Sequence, residues 1–276
     1  MAIGSDIAGK RVVVTGAGTG IGRGVALKFA EYGADVVLHY SHSDAGAKSA
    51  TEEIQGMGRK AAALQADFNN VDDVFRMAAE AEEFLGQIDI LVNNAGITTN
   101  LAFTDVTPEQ FDTLYNVNIR AMYFMTQAVA KGMITRGKGA VVNLTSVHAN
   151  HAMSEHSIYA GTKGAIVSFT RTTSVELAPK GVRMNAIAPG WIYVENHQKA
   201  MGDVDLEAAA GTIPAGFVGT PADVGELAVF LASDSSRYIV GQTYMIDGGQ
   251  MSNMYESGSF KEPREWIFGK GYVPGV

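Results

Sequence analysis

The sequence predicts one α/β domain, built on a doubly wound parallel sheet of about seven strands with helices on both faces. Short runs rich in valine, isoleucine and leucine alternate with longer stretches of helical character over most of the 276 residues. Such apolar runs are typical of strands that helices cover on both faces. No proline- or serine-rich linker divides the chain, which favours a single domain.

The predicted elements follow one another in β–α order. The strands are expected at 11–16, 34–40, 60–67, 88–96, 139–146 and 181–190, with a last strand within 241–249. The helices are expected at 20–33, 44–58, 71–86, about 108–136 with an interruption near 116–118, from Tyr159 towards 178, and 221–233. Residues 251–276 then form a C-terminal extension to the domain of residues 1–250.

Composition excludes several classes of function. The formal net charge is −8 and no basic run occurs, so nucleic acid and anionic membranes are poor candidates for partners. The chain has no cysteine, which excludes disulfides, thiolate catalysis and cysteine-ligated zinc. The N-terminus lacks a signal-peptide pattern and no apolar run reaches transmembrane length, so we expect a cytoplasmic protein.

A glycine-rich turn follows the first predicted strand. In TGAGTGIG, Gly16, Gly20 and Gly22 stand where the chain must leave a strand and enter a helix. Residues without a Cβ permit a tight turn, and the backbone N–H groups of Thr19 to Gly22, Ile21 included, can then face a pyrophosphate. The strand–turn–helix setting predicts a dinucleotide site.

The end of the second strand is expected to face the adenosine ribose. His39, Tyr40 and Ser41 stand there, without the acidic residue that usually holds the ribose hydroxyls of NAD. The missing carboxylate removes repulsion against a 2′-phosphate, which Arg23 and the histidines could assist. We therefore predict a slight preference for NADP(H) over NAD(H), with use of both possible.

The motifs together resemble the classical short-chain dehydrogenase/reductase family. They are TGAGTGIG, NNAG at 93–96, Asn118 in NVN, Ser146, the Y-x-x-x-K of Tyr159 and Lys163, and PG at 189–190, in matching order along residues 10–250. A lone Y-x-x-x-K is common by chance, but the full set is specific. The resemblance implies a Rossmann-like domain, hydride transfer with a nicotinamide cofactor, and a homotetramer or dimer.

The resemblance also assigns catalytic roles. Tyr159 would be the general acid/base, and a free phenol with a pKa near 10 needs help to serve as a base. Lys163, one helical turn away, would lower the pKa of Tyr159 and hold the nicotinamide ribose. Ser146 would hydrogen-bond the reacting oxygen, and Asn118 would anchor a water for proton relay.

Further cofactor contacts follow from the same resemblance. Asn94, Ala95 and Gly96 would pack beside the adenine and ribose, and Asp67 and Phe68 near the adenine. The nicotinamide would be covered by Pro189, Gly190 and Ile192. One departure is Val194, where the family often has a threonine that contacts the cofactor.

The predicted substrate region is polar. His148, His156 and Trp191 are the candidate substrate residues, and polar groups beside an aromatic suit a small polyhydroxylated ligand. The SVH sequence at 146–148 also resembles bacterial glucose 1-dehydrogenases. We predict a sugar or polyol dehydrogenase without a metal.

Two alternatives remain open. The first is a 3-oxoacyl-thioester reductase of the same family, and the second is a nucleotide-binding protein without turnover. The aromatic residues of the tail at 251–276 favour packing at a subunit interface.

Overall fold

A computed structural model describes residues 4–195 and 202–252. Its seven strands form one sheet in the order β3-β2-β1-β4-β5-β6-β7, and every pair of neighbours is parallel. The strands are β1 (Arg11–Val14), β2 (Asp35–Tyr40), β3 (Ala61–Gln65), β4 (Ile90–Asn93), β5 (Gly139–Leu144), β6 (Val182–Pro189) and β7 (Thr243–Ile246). The predicted doubly wound parallel sheet is confirmed.

Eight α-helices connect or follow these strands in the described part of the chain. They are α1 (Gly20–Glu31), α2 (Asp44–Gly56), α3 (Val71–Leu85), α4 (Pro108–Tyr115), α5 (Ala121–Arg136), α6 (Ser157–Leu177), α7 (Leu206–Gly211) and α8 (Pro221–Ala232). A π-helical turn at Asn116–Arg120 separates α4 from α5, so the interruption expected near 116–118 is confirmed. Among these helices none is long and apolar enough to cross a membrane.

Local sequence explains where several helices begin and end. Asn70 accepts a hydrogen bond from the Asp72 N–H at the start of α3, and Gly86 ends that helix at φ +80°. Thr107 and Gln110 form a capping box ahead of α4, with Pro108 in its first turn. These signals are local, which is why the helix order could be predicted.

The sheet separates two hydrophobic clusters. Val12 and Val14 of β1 pack with α1, α2 and α8 on one face, whereas Val13 packs with α3, α5 and the end of α6 on the other. All three valines are completely buried, as expected for a central strand covered on both sides.

Strand order reverses between β1 and β4, because the chain first builds outward to β3 and then returns past β1. A crevice therefore opens at the carboxyl ends of these two strands, where open α/β sheets bind ligands. The predicted strands at 11–16 and 88–96 were too long. Their last residues, 15–16 and 94–96, are loops that line this crevice.

Candidate active site

The glycine turn closes tightly against itself. Gly16 and Gly20 adopt φ values of +64° and +58°, which side chains with a Cβ rarely accept. A Cβ at Gly22 would lie 2.3 Å from the Gly16 carbonyl oxygen, so no larger residue fits there. The turn delivers the chain into α1 with Thr19 at its N-cap position. Backbone N–H groups at such a helix start can bind an anion.

The loop after β4 is bonded directly to this turn. Thr15 Oγ1 accepts the N–H groups of Asn94 and Ala95, both at 3.0 Å. The Asn94 amide donates in return to the carbonyls of Thr15 and Gly16, also at 3.0 Å. Two predicted cofactor contacts, the glycine turn and the NNAG loop, therefore form one rigid wall.

A cavity of about 270 Å³ runs from this wall to the Y-x-x-x-K pair. Its floor and rim include the glycine turn, Gly96, Tyr159, Lys163, Pro189 and Val194. A Cβ at Gly96 would lie 3.3 Å from Asn118 Oδ1 and 3.6 Å from Lys163 Nζ, so glycine keeps the passage open. The cavity joins the predicted pyrophosphate turn to the predicted catalytic residues, which fits an extended dinucleotide.

His39 does not lie where the sequence predicted it. The imidazole is 2% exposed, with Nδ1 accepting the Gly16 N–H at 3.1 Å and Nε2 lying 3.1 Å from the Ala66 carbonyl oxygen. Its ring stacks on Phe68 at 3.8 Å. Burial lowers the pKa of His39 to about 4. The expected assistance to a ribose phosphate is wrong for this residue, because the ring is buried behind the glycine turn.

The rest of the ribose-facing region is more exposed. Tyr40 donates its hydroxyl proton to Asp44 at 2.9 Å, and Ser41 is partly exposed at the strand end. Arg23 is engaged elsewhere, because its guanidinium pairs with Glu53 at 2.7 Å. The expected help of Arg23 to a 2′-phosphate is therefore not supported.

Asp67 and Phe68 follow β3 on the same side of the crevice. The Asp67 carboxylate accepts the Asn69 N–H at 2.9 Å, and Asp73 accepts the Asp67 N–H at 2.9 Å. Phe68 is 5% exposed and gives one ring face to His39. The predicted adenine contacts of both residues remain predictions.

The structure brings Ser146, Tyr159 and Lys163 together. Ser146 follows β5 and accepts the His148 N–H at 3.2 Å, which starts a short 3-10 turn. Tyr159 stands in the first turn of α6 and is hydrogen-bonded to Ser146. Lys163 is buried one turn later, with Nζ 5.4 Å from the centre of the Tyr159 ring and donating to the Leu144 carbonyl at 3.0 Å.

The electrostatics differ from the expectation. Burial raises the pKa of Tyr159, and its hydrogen bond with Ser146 only partly offsets this. Burial also lowers the pKa of Lys163 to about 8, so this side chain is mostly cationic at neutral pH. The raised pKa of Tyr159 is opposite to the lowering by Lys163 that the sequence predicted, and desolvation is its largest cause.

Asn118 lies in the π-helical turn and is 1% exposed. Its Oδ1 accepts the Ile97 N–H at 2.8 Å, and its Nδ2 donates to the Ile97 carbonyl at 2.9 Å and to Thr162 Oγ1 at 3.1 Å. Both amide hydrogens are thus used in tying the loop after β4 to α6. Its predicted part in a water relay stays a prediction.

Two histidines lie beside the Tyr159 ring. The ring centres of His148 and His156 lie 5.3 Å apart, and each lies 6.1 Å from the Tyr159 ring. Burial lowers the pKa of His148. A neutral His148 imidazole therefore lies beside the Tyr159 ring.

The segment after β6 divides between two places. Val194 lines the main cavity, whereas Trp191 and Ile192 line a separate cavity of about 210 Å³ with Phe217 and Asp247, so the predicted place of Ile192 over the nicotinamide stays a prediction. The structure therefore does not bring Trp191 into one cavity with Tyr159. Pro189 lines the main cavity, and a Cβ at Gly190 would lie 2.5 Å from the Asp247 Cβ.

Glu195 belongs to the polar segment after residue 190, and the sequence did not predict its contact with the glycine turn. Its Oε2 accepts the Gly20 N–H at 3.2 Å, so a carboxylate stands on the turn predicted to bind pyrophosphate. Only the polar character of the segment after residue 190 could have pointed to it. Thr145 was missed too, and its hydroxyl donates to the Lys163 carbonyl at 2.7 Å.

Comparisons with known proteins give consistent matches. The family model described as "Enoyl-(Acyl carrier protein) reductase" matches residues 16–251. An L-rhamnose 1-dehydrogenase (NAD(P)(+)) of Sphingomonas is 36% identical over 248 residues, covering 89% of this chain and 98% of the relative. The hydroxynaphthalene reductase-like protein Arp2 of Metarhizium anisopliae is 36% identical over 260 residues, covering 90% and 97%.

A solved structure extends these matches to three dimensions. A protein described as an NAD(P)-dependent gluconate 5-dehydrogenase from Beutenbergia cavernae, with bound NADP, superimposes with a TM-score of 0.82. It is 35% identical, and the match covers 89% of this chain and 98% of that one.

Proposed function

The chain belongs to the short-chain dehydrogenase/reductase family, and from this premise we propose that it is an NAD(P)-dependent dehydrogenase of a small sugar or polyol. One observation carries the proposal. Tyr159 and Lys163 line the end of a cavity that starts at the glycine turn, Ser146 is hydrogen-bonded to Tyr159, and the imidazoles of His148 and His156 lie beside the Tyr159 ring. The rhamnose and gluconate dehydrogenases among the similar proteins support a sugar-like substrate.

The residues present suit a nicotinamide dinucleotide. The turn of Gly16, Thr19, Gly20, Ile21 and Gly22 would hold the pyrophosphate, and the wall of Asn94, Ala95 and Gly96 would hold the adenosine. Lys163 would hold the nicotinamide ribose, with Pro189, Gly190 and Ile192 over the ring. When bound, the nicotinamide exchanges a hydride with the substrate carbon.

The chain's own residues would handle the proton. In the oxidative direction the substrate loses a hydride from carbon and a proton from its hydroxyl oxygen, which leaves a carbonyl. Tyr159 would take that proton, and Ser146 would hold the oxygen in place. Because burial raises the pKa of Tyr159, the phenol keeps its proton at neutral pH in the protein alone. The Tyr159 hydroxyl can therefore donate its proton in the reductive direction. To accept a proton in the oxidative direction it needs a lower pKa, which added positive charge nearby would give.

For the cofactor we propose a small preference for NADP(H). Tyr40, Ser41 and His42 bring no carboxylate of their own to the end of β2, and the nearby Asp44 is paired with Lys48 at 2.8 Å, so a 2′-phosphate meets little repulsion. Arg23 is paired with Glu53, so the attraction is also small. A comparison of kcat/KM for NADP and NAD with one substrate tests this, and a tenfold or greater preference for NAD would overturn it.

The experiment that tests the function follows nicotinamide reduction by the purified protein. The panel contains L-rhamnose, other aldoses, gluconate and linear polyols, each with NAD and NADP, and Tyr159→Phe serves as the inactive control. We expect turnover with at least one aldose or sugar acid. The absence of nicotinamide reduction with every compound in the panel would overturn the proposal of a sugar or polyol substrate.

A second candidate is a 3-oxoacyl-thioester reductase. A solved structure described as a betaketoacyl-ACP reductase, 34% identical to this chain with a TM-score of 0.78, favours it. It predicts oxidation of NADPH by acetoacetyl thioesters and no response to sugars, so the same purified protein distinguishes the two. Turnover in either assay would exclude a nucleotide-binding protein without catalysis.

We also propose a homotetramer or dimer. Phe75, Tyr123, Phe124 and Phe169 form a ladder of ring contacts at 5.3–5.7 Å across α3, α5 and α6, and Phe75 and Tyr123 are more than 40% exposed. Such a surface favours association. The predicted interface role of the extension at 251–276 lies outside the described residues from 253 onward. Light scattering of the full chain and of a chain ending at residue 251 tests both ideas, and a monomer in both cases would overturn them.

A further inference from the structure

We propose that His39 is a positioning residue for the cofactor. Through a single neutral tautomer, its imidazole fixes the position of the glycine turn relative to the adenine side of the crevice. It would act from the buried side of the glycine turn, without contacting the 2′ substituent that distinguishes NADP from NAD. The inference rests on the proposed function only in assuming that the crevice binds NAD(P).

The first support is the set of contacts around the ring. His39 lies on β2, yet Nδ1 accepts the Gly16 N–H at 3.1 Å and Nε2 meets the Ala66 carbonyl at 3.1 Å. The His39 carbonyl also accepts the Ala17 N–H at 2.8 Å. One residue therefore links the turn after β1 to the end of β3, across the strand between them.

The second support is the chemistry of these contacts. A backbone N–H can only donate and a carbonyl can only accept, so Nδ1 must be bare and Nε2 must carry the hydrogen. A protonated ring would have no bare nitrogen for Gly16. Burial keeps the ring neutral by lowering the pKa of His39 to about 4. The tautomer is thus set by its surroundings throughout the physiological range.

The third support is the close packing around Gly16. A Cβ there would lie 2.7 Å from the Ala95 Cα, and the Gly16 carbonyl already accepts from Asn94. The turn is therefore packed between the NNAG loop on one side and His39 on the other. Loss of the Nδ1 acceptor would leave a buried N–H unpaired and let the turn shift.

Phe68 extends this influence to the adenine side. Its ring is stacked on the imidazole with 9° between the planes, and only 5% of the residue is exposed. A residue of another shape at position 39 would change the plane of Phe68. Both ends of the adenosine pocket therefore depend on the same imidazole.

The test compares side chains that keep different halves of the histidine. Asparagine places an acceptor near the position of Nδ1, whereas glutamine places a donor near the position of Nε2. His39→Asn should bind NADPH and NADH within about threefold of the wild type, and His39→Gln and His39→Leu should bind both at least roughly tenfold more weakly. Direct titration of the full-length protein, followed by nicotinamide fluorescence, needs no substrate.

Two further readouts separate positioning from other roles. The ratio of the Kd values for NADH and NADPH should stay within about twofold in all three variants, and kcat at saturating cofactor should stay within about threefold. A changed ratio would show direct contact with the 2′ substituent and overturn the proposal. Equal binding by the wild type, His39→Gln and His39→Leu would overturn it as well.

Asn185→Leu is the matched control. Asn185 is 1% exposed and also makes one donated and one accepted bond, with the Ile239 carbonyl at 2.9 Å and the Gln242 N–H at 3.0 Å. Its loss should lower Tm without weakening cofactor binding. Equal weakening by this control would overturn the proposal by assigning the effect to stability. If His39→Leu does not fold, the comparison of asparagine with glutamine carries the test. Binding of neither cofactor by the wild type would overturn the proposed function and this inference together.

Discussion

The two sides of the crevice differ in how their polar atoms are satisfied. On the cofactor side, Thr15, Asn94 and His39 bond to the backbone of the neighbouring loops. On the substrate side the side-chain bonds are local, because Ser146 accepts the His148 N–H at 3.2 Å and His156 Nδ1 lies 2.9 Å from the Ser154 carbonyl oxygen. Bonds between residues two apart shape a turn but do not tie it to a distant loop. The cofactor side is therefore held to its neighbouring loops more firmly than the substrate side.

The largest expected effect is at the junction of the two sides. Tyr159→Phe removes the hydroxyl but keeps the buried ring, so kcat should fall by about a thousandfold or more while the Kd of the cofactor barely changes. Steady-state kinetics and fluorescence titration measure these quantities. A near wild-type kcat would show that another group moves the proton.

The substitution Lys163→Met tests whether the buried lysine supports turnover while lowering the free energy of unfolding. The folded pKa of about 8 lies below the unfolded value of 10.5, so the unfolded chain binds a proton more readily; folding is penalised as pH falls below 10.5, and the penalty is complete below about pH 8. The penalty is worth about 3 kcal/mol, less about 1 kcal/mol for the Leu144 carbonyl left unpaired. The variant should lose turnover and gain about 2 kcal/mol in free energy of unfolding at pH 7.

Urea unfolding at several pH values checks this sign. The gain of Lys163→Met should fade as pH rises from 8 towards 10.5, because the wild-type lysine is then neutral in the folded protein. The exposed Lys180→Met should change the free energy of unfolding by less than about 0.5 kcal/mol. Destabilisation of Lys163→Met at pH 7 would contradict the proposed cost of burial.

His148→Leu sharpens the comparison on the substrate side. It removes the polar imidazole beside the Tyr159 ring and should raise the KM for the sugar by about tenfold, with the Kd of the cofactor unchanged. Asn150→Ala, an exposed change on the same turn, serves as the control. An unchanged KM would mean that the substrate does not bond to this imidazole.

The smallest expected effect is on the cofactor side. The Glu195 carboxylate accepts the Gly20 N–H at 3.2 Å and must leave before a pyrophosphate can use that donor. Glu195→Gln should lower the Kd of the cofactor by about threefold. Glu207→Gln removes the same charge from an exposed site on α7 and should leave the Kd unchanged. Weaker binding by Glu195→Gln would show that the carboxylate assists the cofactor.

The amino-acid sequence by itself determined the order of strands and helices and the glycine turn. It also determined the pairing of Tyr159 with Lys163, since four residues make about one turn of α6. These features depend on apolar periodicity, on glycines at positive φ and on capping residues, all within a few residues along the chain. The break predicted near 116–118 is the π-helical turn at Asn116–Arg120.

Only the tertiary structure decided which side chains are buried and which partners they take. His39 bonds to Gly16 and Ala66, Arg23 pairs with Glu53, and Glu195 reaches Gly20 from 175 residues away. It also decided that burial, not Lys163, controls the pKa of Tyr159. Desolvation and partner choice depend on elements that pack together from distant parts of the chain, so local patterns carry no record of them.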